Sequence, residues 1–393
     1  MTAVGPAVPA SAPAGAGPWS GVRVVELGAE VRGGTGGLGS AYATRLWAAL
    51  GAEVIVAEPQ HGHLLRHLPP FAPGSEESLW WAYFGQGKRS VVAPPGSDAL
   101  ATLVATADVV IGDVDPLAGA PAAAHDRQVV VAITPFGLDG PRAGWAGSEL
   151  IAWASSGVAY TLGFPDRPPV CLATPVQFAA HTASLYAVNG AMLALRAARR
   201  TGRGQLVDVS MQEVCLSLAP ETGVSLFLDD GIHRTRPGNR RNVTRPWGLY
   251  PCADGFVSYL IIQPAHWRAM AEWIAEATGM DAVLDEVFLD MHVRWEVSDF
   301  IDECTEALTR PRTKLDLFVE GQRRGIPTTP VNTVADLRAD PHLASSGFWR
   351  EEEHPALGTV SVPGAPFRVN HDWWHWAVAP RLGEHTAALP TRR

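Results

Sequence analysis

Residues 173–210 constrain this chain more than any other stretch. They read as a loop, a long helix, a tight turn and a strand. Ala, Leu and Met dominate residues 179–198, and Gly190 is the one helix-weakening residue among them. Arg196, Arg199 and Arg200 fall in the last turns, where cations favour the helix dipole. The run Thr201-Gly202-Arg203-Gly204 ends the helix with glycines that can adopt positive φ. Leu206 to Val209 then read as a buried strand. With the strand and helix patterns nearer the amino end, an α/β fold is expected.

With 393 residues the chain can build two domains around large cores. Apolar residues make up 47% and charged residues 18%, which indicates a globular protein and excludes a disordered one. No apolar run reaches the roughly 18 residues of a membrane helix. A net charge of -9 argues against nucleic acid as partner, which calls for a basic face. Cys171, Cys215, Cys252 and Cys304 are scattered, with no CxxC pair, so a cytoplasmic protein with reduced thiols and no zinc site is expected. The first 18 residues are rich in Ala, Pro and Gly and read as a flexible tail.

Past the tail, strand and helix patterns alternate. Strands are expected at 22–25, 51–56, 90–92, 109–111 and 128–133, with helices at 40–50 and 97–107. This is the pattern of a doubly wound large domain. Between the first strand and helix lies Arg32-Gly33-Gly34-Thr35-Gly36-Gly37-Leu38-Gly39. Its glycines do not make GxGxxG, and it reads equally as a linker or as a loop offering N–H groups to a phosphate. From Trp247 onward a hairpin turning at Asp254-Gly255, then helices at 267–277 and 298–309, suggest a smaller α+β domain. The expected organisation is a tail (1–18), a large domain (19–225), a small domain (226–325) and a return to the large domain (326–393).

Several segments together resemble the class III CoA-transferases, the CaiB/BaiF family. They include GVRVVELG, AYATRLWAALGAEVIVAEP, TPFGLDGP, GSELIAW, TGRGQLVDVSMQEV, WGLYPCADGFV and GIPTTPVNT, in order, over roughly residues 20–386. The resemblance implies an interlocked homodimer with active sites at domain and subunit interfaces. It also implies a catalytic aspartate at the start of the long helix. Counting back along that helix puts this position at Ala180, and no Asp or Glu occurs between Asp166 and Asp208. A carboxylate in that place attacks a thioester, forms a mixed anhydride and passes CoA on; alanine has no such group.

Other site residues follow from the same likeness. Lys88 and Arg89 lie in a segment (GQGKRS) similar to one that holds CoA phosphates, though by themselves they would read as a surface basic pair. Gly112-Asp113-Val114 stands where the family often has an Asn-Phe pair near the adenine, and an aspartate there would repel phosphates. Glu149 falls on an acidic position near the active site, or is a first-turn helix carboxylate after Ser148. Ser148 replaces the histidine of the racemases, which disfavours that chemistry. Gln177, His181 and Cys171 are the remaining candidates near residue 180. In the first helical turn His181 would be suited to act as a base, against the plainer role of a polar helix start. Tyr259 to Pro264 replace a glycine-rich lid with bulky side chains. His371 to Trp376 read as a packed aromatic segment.

The expected function is therefore action on an acyl-CoA or related thioester, with Glu149 and His181 as catalytic residues and Lys88, Arg89 and Gln177 as CoA contacts. No cofactor is required beyond the CoA thioester itself, and no membrane or metal is involved. The alternatives are a non-catalytic subunit paired with a paralogue, or an acyl-CoA binding protein.

Overall fold

The computed structural model describes residues 17–28, 37–113, 123–170, 177–218, 236–240, 243–369 and 373–388. Two compact units emerge: Met1–Ala159 with Cys171–Ile232 and Gly347–Arg393, and Tyr160–Val170 with His233–Ser346.

The first unit is built on a parallel sheet of β1 (Arg23–Leu27), β2 (Glu53–Glu58), β3 (Arg89–Val92), β4 (Val109–Asp113), β5 (Val129–Thr134) and β6 (Leu206–Ser210), in the order β3-β2-β1-β4-β5-β6. The inner strands are runs of Val and Ile buried on both faces, as parallel strands flanked by helices must be. Helices α1 (Leu38–Ala49), α2 (Leu79–Phe84), α3 (Asp98–Thr106), α4 (Glu149–Ser155), α5 (Phe178–Thr201) and α6 (Met211–Ser217) belong to the same unit. The strand order reverses between β1 and β4, the switch point where such sheets bind ligands.

The turn from α5 into β6 shows why TGRG stands there. Gly202 caps α5 at φ 75°, and a Cβ on Gly204 would lie 1.8 Å from the Gln128 carbonyl oxygen. β6 itself corrects the expectation of a buried strand. It is the sheet's edge, and Leu206 is 54% exposed. The opposite edge, β3, is covered by residues 373–388: His385 N–H donates to the Ser90 carbonyl, and Val92 N–H to Thr386 Oγ1. Trp374 and Trp376 stack within this segment; His371 lies outside the described residues.

The second unit holds an antiparallel sheet of β7 (Trp247–Cys252), β8 (Gly255–Leu260) and β9 (Thr328–Pro330). Cys252 pairs with Gly255, so the turn is Ala253-Asp254, one residue earlier than expected. Around it lie α7 (Pro264–Thr278), α8 (Met291–Glu296), α9 (Ser298–Thr309), α10 (Lys314–Arg323), α11 (Val334–Ala339) and α12 (Pro341–Ser345). Trp267, Met270, Ile274, Ile301 and Leu308 form its core with Tyr250 and Tyr259. The chain re-enters the first unit with the hairpin β10 (Trp349–His354) and β11 (Gly358–Pro363). No described helix is long and apolar enough to cross a membrane.

A buried polar seam links β1, β2 and α1 in the first unit. Lys88 Nζ donates to Glu26 Oε2 at 2.8 Å and to the Ala41 carbonyl at 2.9 Å, and Thr44 Oγ1 donates to Glu26 at 2.6 Å. Burial pushes the Glu58 carboxyl up, but paired hydrogen bonds from Arg66 hold it below the usual carboxylate range. His63 Nδ1 accepts from Leu65 N–H at 3.1 Å, so Nε2 carries the proton and faces Glu26 Oε1 at 3.6 Å.

Burial pushes the His63 ring down to about 4 from an ordinary 6.5, despite the pull of Glu26. The unfolded chain therefore takes up this proton first. The stability so gained is full above pH 6.5 and is lost as pH falls through 4. It amounts to about 3 kcal/mol. His63→Asn keeps an acceptor for Leu65 N–H and cannot titrate. Urea unfolding of the variant should give a stability curve flatter than wild type by that amount between the two pH values. An unchanged slope would assign the acid sensitivity elsewhere.

Candidate functional site

The site is built where α4 meets the start of α5. Ser148 caps α4 through its hydroxyl, which accepts from Ile151 N–H at 3.4 Å and leaves Glu149 as the first helical residue. Glu149 is 7% exposed. Its Oε1 accepts from Trp153 Nε1 at 2.7 Å and from Ala179 N–H at 2.7 Å, and its Oε2 accepts from Ala180 N–H at 3.0 Å. The amino end of α5 is thus closed by a carboxylate from another helix, which satisfies two of its orphan donors and suits the dipole. Gln177, the N-cap residue, makes no side-chain capping bond.

Ala180 is 1% exposed and presents only a methyl group. One turn on, Ser184 Oγ donates to the carbonyls of Gly39 and Ala180, at 2.7 Å each, and ties α5 to α1. His181 points elsewhere, as its offset of roughly 100° from residue 180 requires. Its half-buried ring packs edge-on against Tyr42, with centroids 4.8 Å apart, and lies 5.8 Å from Phe84. Its Nδ1 is 2.6 Å from the Gln177 carbonyl oxygen.

At the switch point a second helix is closed in the same way. Asp113 ends β4 and accepts from Ser40 N–H at 2.7 Å and Gly39 N–H at 3.3 Å, in the first turn of α1. Burial pushes this carboxyl up to about 6, against the pull of those hydrogen bonds. The helix end that could receive a phosphate in such a fold is occupied by the chain's own side chain. Cys215 lies buried nearby on α6. Burial, then the charge of Glu149, pushes its thiol up to about 12, which leaves no thiolate to act as nucleophile.

The structure brings Glu149, Gln177, Ala180 and His181 together and leaves Lys88 and Arg89 apart from them. Lys88, expected as a diphosphate contact, is bonded inside the protein here. Its ammonium is fully buried and spent on Glu26 and Ala41 O, because a lysine beside a buried carboxylate is drawn inward to neutralise it. Arg89 opens β3 at the amino edge of the sheet, paired with Glu53 at 2.8 Å, whereas α1 and α5 begin at the carboxyl edge. Cys171 and most of the glycine-rich loop, residues 29–36, lie outside the described residues. Asp113 as a helix cap was not foreseen from sequence; the signal was a lone aspartate at the end of an apolar strand.

Comparison with known proteins settles the family. The model of CoA-transferase family III matches residues 19–386. The chain belongs to CoA-transferase family III. Within family III it is similar to the succinyl-CoA:(R)-benzylsuccinate CoA-transferase subunit BbsE of Thauera aromatica, 33% identical over 93% of this chain and 92% of that one. It is also similar to the succinyl-CoA–L-malate CoA-transferase alpha subunit of Chloroflexus aurantiacus, 27% identical over 90% of this chain and 83% of that one. Among solved structures, a CaiB/BaiF family protein from Brucella suis superposes with a TM-score of 0.82 at 25% identity, covering 95% of this chain and 98% of that one. Membership makes the chain a transferase of the CoA-transferase type, with the fold of that family.

Two substitutions test the geometry. Lys88→Met strands Glu26 in the core and should cost about 3–5 kcal/mol in denaturant unfolding, most of it recovered in the Glu26→Gln/Lys88→Met double variant. A lysine serving only as a ligand contact would leave stability unchanged. Glu149→Gln sets an amide NH₂ against an α5 N–H and should cost about 1–3 kcal/mol by the same measurement. A loss under about 0.3 kcal/mol would mean the α5 cap does not form.

Proposed function

We propose that this chain acts on acyl-CoA thioesters as the CoA-transferase subunit that brings no nucleophile of its own, the attacking carboxylate coming from an aspartate-bearing paralogue. The observation that carries this is the α5 mouth. Position 180 is a methyl group, and the carboxylate beside it, Glu149, has both oxygens engaged by N–H donors. Three of its roughly four lone-pair sites are taken and the group is 7% exposed, so Glu149 is poorly disposed to attack a thioester carbonyl. Glu149 is then a positioning group that fixes the helix, and Gln177, with an uncapped side chain at the same mouth, is the residue left to contact the thioester.

Two further observations support a partner. The relatives from Thauera aromatica and Chloroflexus aurantiacus are both named as subunits. An apolar strip runs along α5 and β6, with Leu185, Tyr186, Met192, Leu193 and Leu206 all exposed. Such a strip suits burial against a second subunit, whether a paralogue or a copy of this chain. The second reading keeps the chemistry within this chain, with Glu149 and His181 as its catalytic pair. Its support is the His181 ring, whose Nε2 takes part in no hydrogen bond among the described residues.

Mass spectrometry of the purified chain incubated with succinyl-CoA and a carboxylate acceptor separates these. Wild type alone should show neither CoA exchange between acids nor a covalent CoA adduct, and Ala180→Asp should acquire an adduct at residue 180. Exchange by wild type, with an adduct mapped to Glu149, would return the chemistry to this chain. Saturable binding with no adduct even in Ala180→Asp would make it a binding protein.

A further inference from the structure

We propose that His181 gives this chain a second activity, the hydrolysis of acyl-CoA thioesters, with its Nε2 as general base. The proposal rests on the reading that the chain binds an acyl-CoA at the α5 mouth. It starts from the backbone of Gln177, which has φ 43° and ψ 44°. Among the described residues it is the one non-glycine with positive φ. A bulky residue is held there only when its surroundings over-determine it, and such outliers cluster at functional sites. What the conformation achieves is visible. The Gln177 carbonyl accepts twice from the same residue, from His181 N–H at 3.1 Å and from its ring Nδ1 at 2.6 Å.

That second bond decides the tautomer. With a carbonyl oxygen as its partner, Nδ1 must be the donor, so in the uncharged ring the lone pair lies on Nε2. An edge contact with Tyr42 and a tilted contact with Phe84 hold the plane of the ring. No described residue bonds Nε2, and Nε2 is not among the buried atoms without a partner, so it opens to solvent. A ring aimed by a carbonyl, held by aromatics and presenting a free basic nitrogen is an arrangement for accepting a proton. Its neighbour at 180 supplies no nucleophile. The group left to attack a bound thioester is water.

The step balances without any other reagent. Water oxygen adds to the thioester carbonyl as its proton passes to Nε2. The carbonyl re-forms, the C–S bond breaks, and the proton returns from Nε2 to the CoA thiolate. The products are the free acid and CoA thiol.

The test uses the whole purified chain with succinyl-CoA and no acceptor acid, in water enriched in ¹⁸O. CoA release is followed with a thiol reagent, and binding is measured separately by calorimetry. Wild type should release CoA above the uncatalysed rate, with one ¹⁸O in the succinate. His181→Gln should lower the release about 100-fold with binding changed less than about 2-fold. Added imidazole should restore part of the release in His181→Ala, a rescue that a purely structural role would not give. Binding without release, release unchanged in His181→Gln, or succinate without ¹⁸O would each overturn the proposal and leave the acyl-CoA reading standing. Absence of binding would sink both.

Discussion

A carboxylate closing the amino end of a long helix is the contact on which this site depends. α5 has 24 residues, and its dipole and unpaired N–H groups make its start a place where an anion is wanted. The anion comes from Glu149 on α4, so one side chain both satisfies α5 and fixes the angle at which α4 meets it. The same contact weakens Glu149 as a nucleophile. Each N–H it accepts draws charge from the oxygens that would attack. The residues at the mouth are thereby sorted into roles. Glu149 holds the helix, Ala180 is inert, and His181, one step around the axis, is turned away from the cap.

The same principle recurs at three other carboxylates of the first unit. Asp113 closes α1, Glu26 takes Lys88, and Glu53 takes Arg89. The buried Glu26–Lys88 pair adds little net stability, since desolvation offsets most of its attraction. What it does is punish the loss of either member, which fixes β1, β2 and α1 in one register.

Much of the fold was legible in the sequence for simple reasons. Runs of Val and Ile of strand length, separated by apolar helices, leave few architectures, and the glycines of TGRG mark the end of α5 to within a residue or two. What failed was direction. A lysine before a strand looks the same in sequence whether it faces water or, as Lys88 does, a buried Glu26 sixty-two positions earlier. The exposure of β6 depends on which strand is last in the sheet, and strand order is not written in local pattern. Of the site, residue 180 and its neighbours could be found by spacing. The partner of Glu149 could not, because the bond joins side chain to backbone across thirty residues, and a backbone N–H carries no sequence signature.

α1 shows what holds the shape of this site. Nearly every residue of its first turns is tied to a different element. The Gly39 carbonyl accepts from Ser184 on α5, Ser40 N–H donates to Asp113 on β4, and the Ala41 carbonyl accepts from Lys88. The Tyr42 ring meets His181, and Thr44 donates to Glu26 on β1. None of these contacts uses the side chain at position 180. The histidine beside position 180 takes the orientation that the Gln177 carbonyl and the aromatic rings impose on it, independently of the side chain at 180.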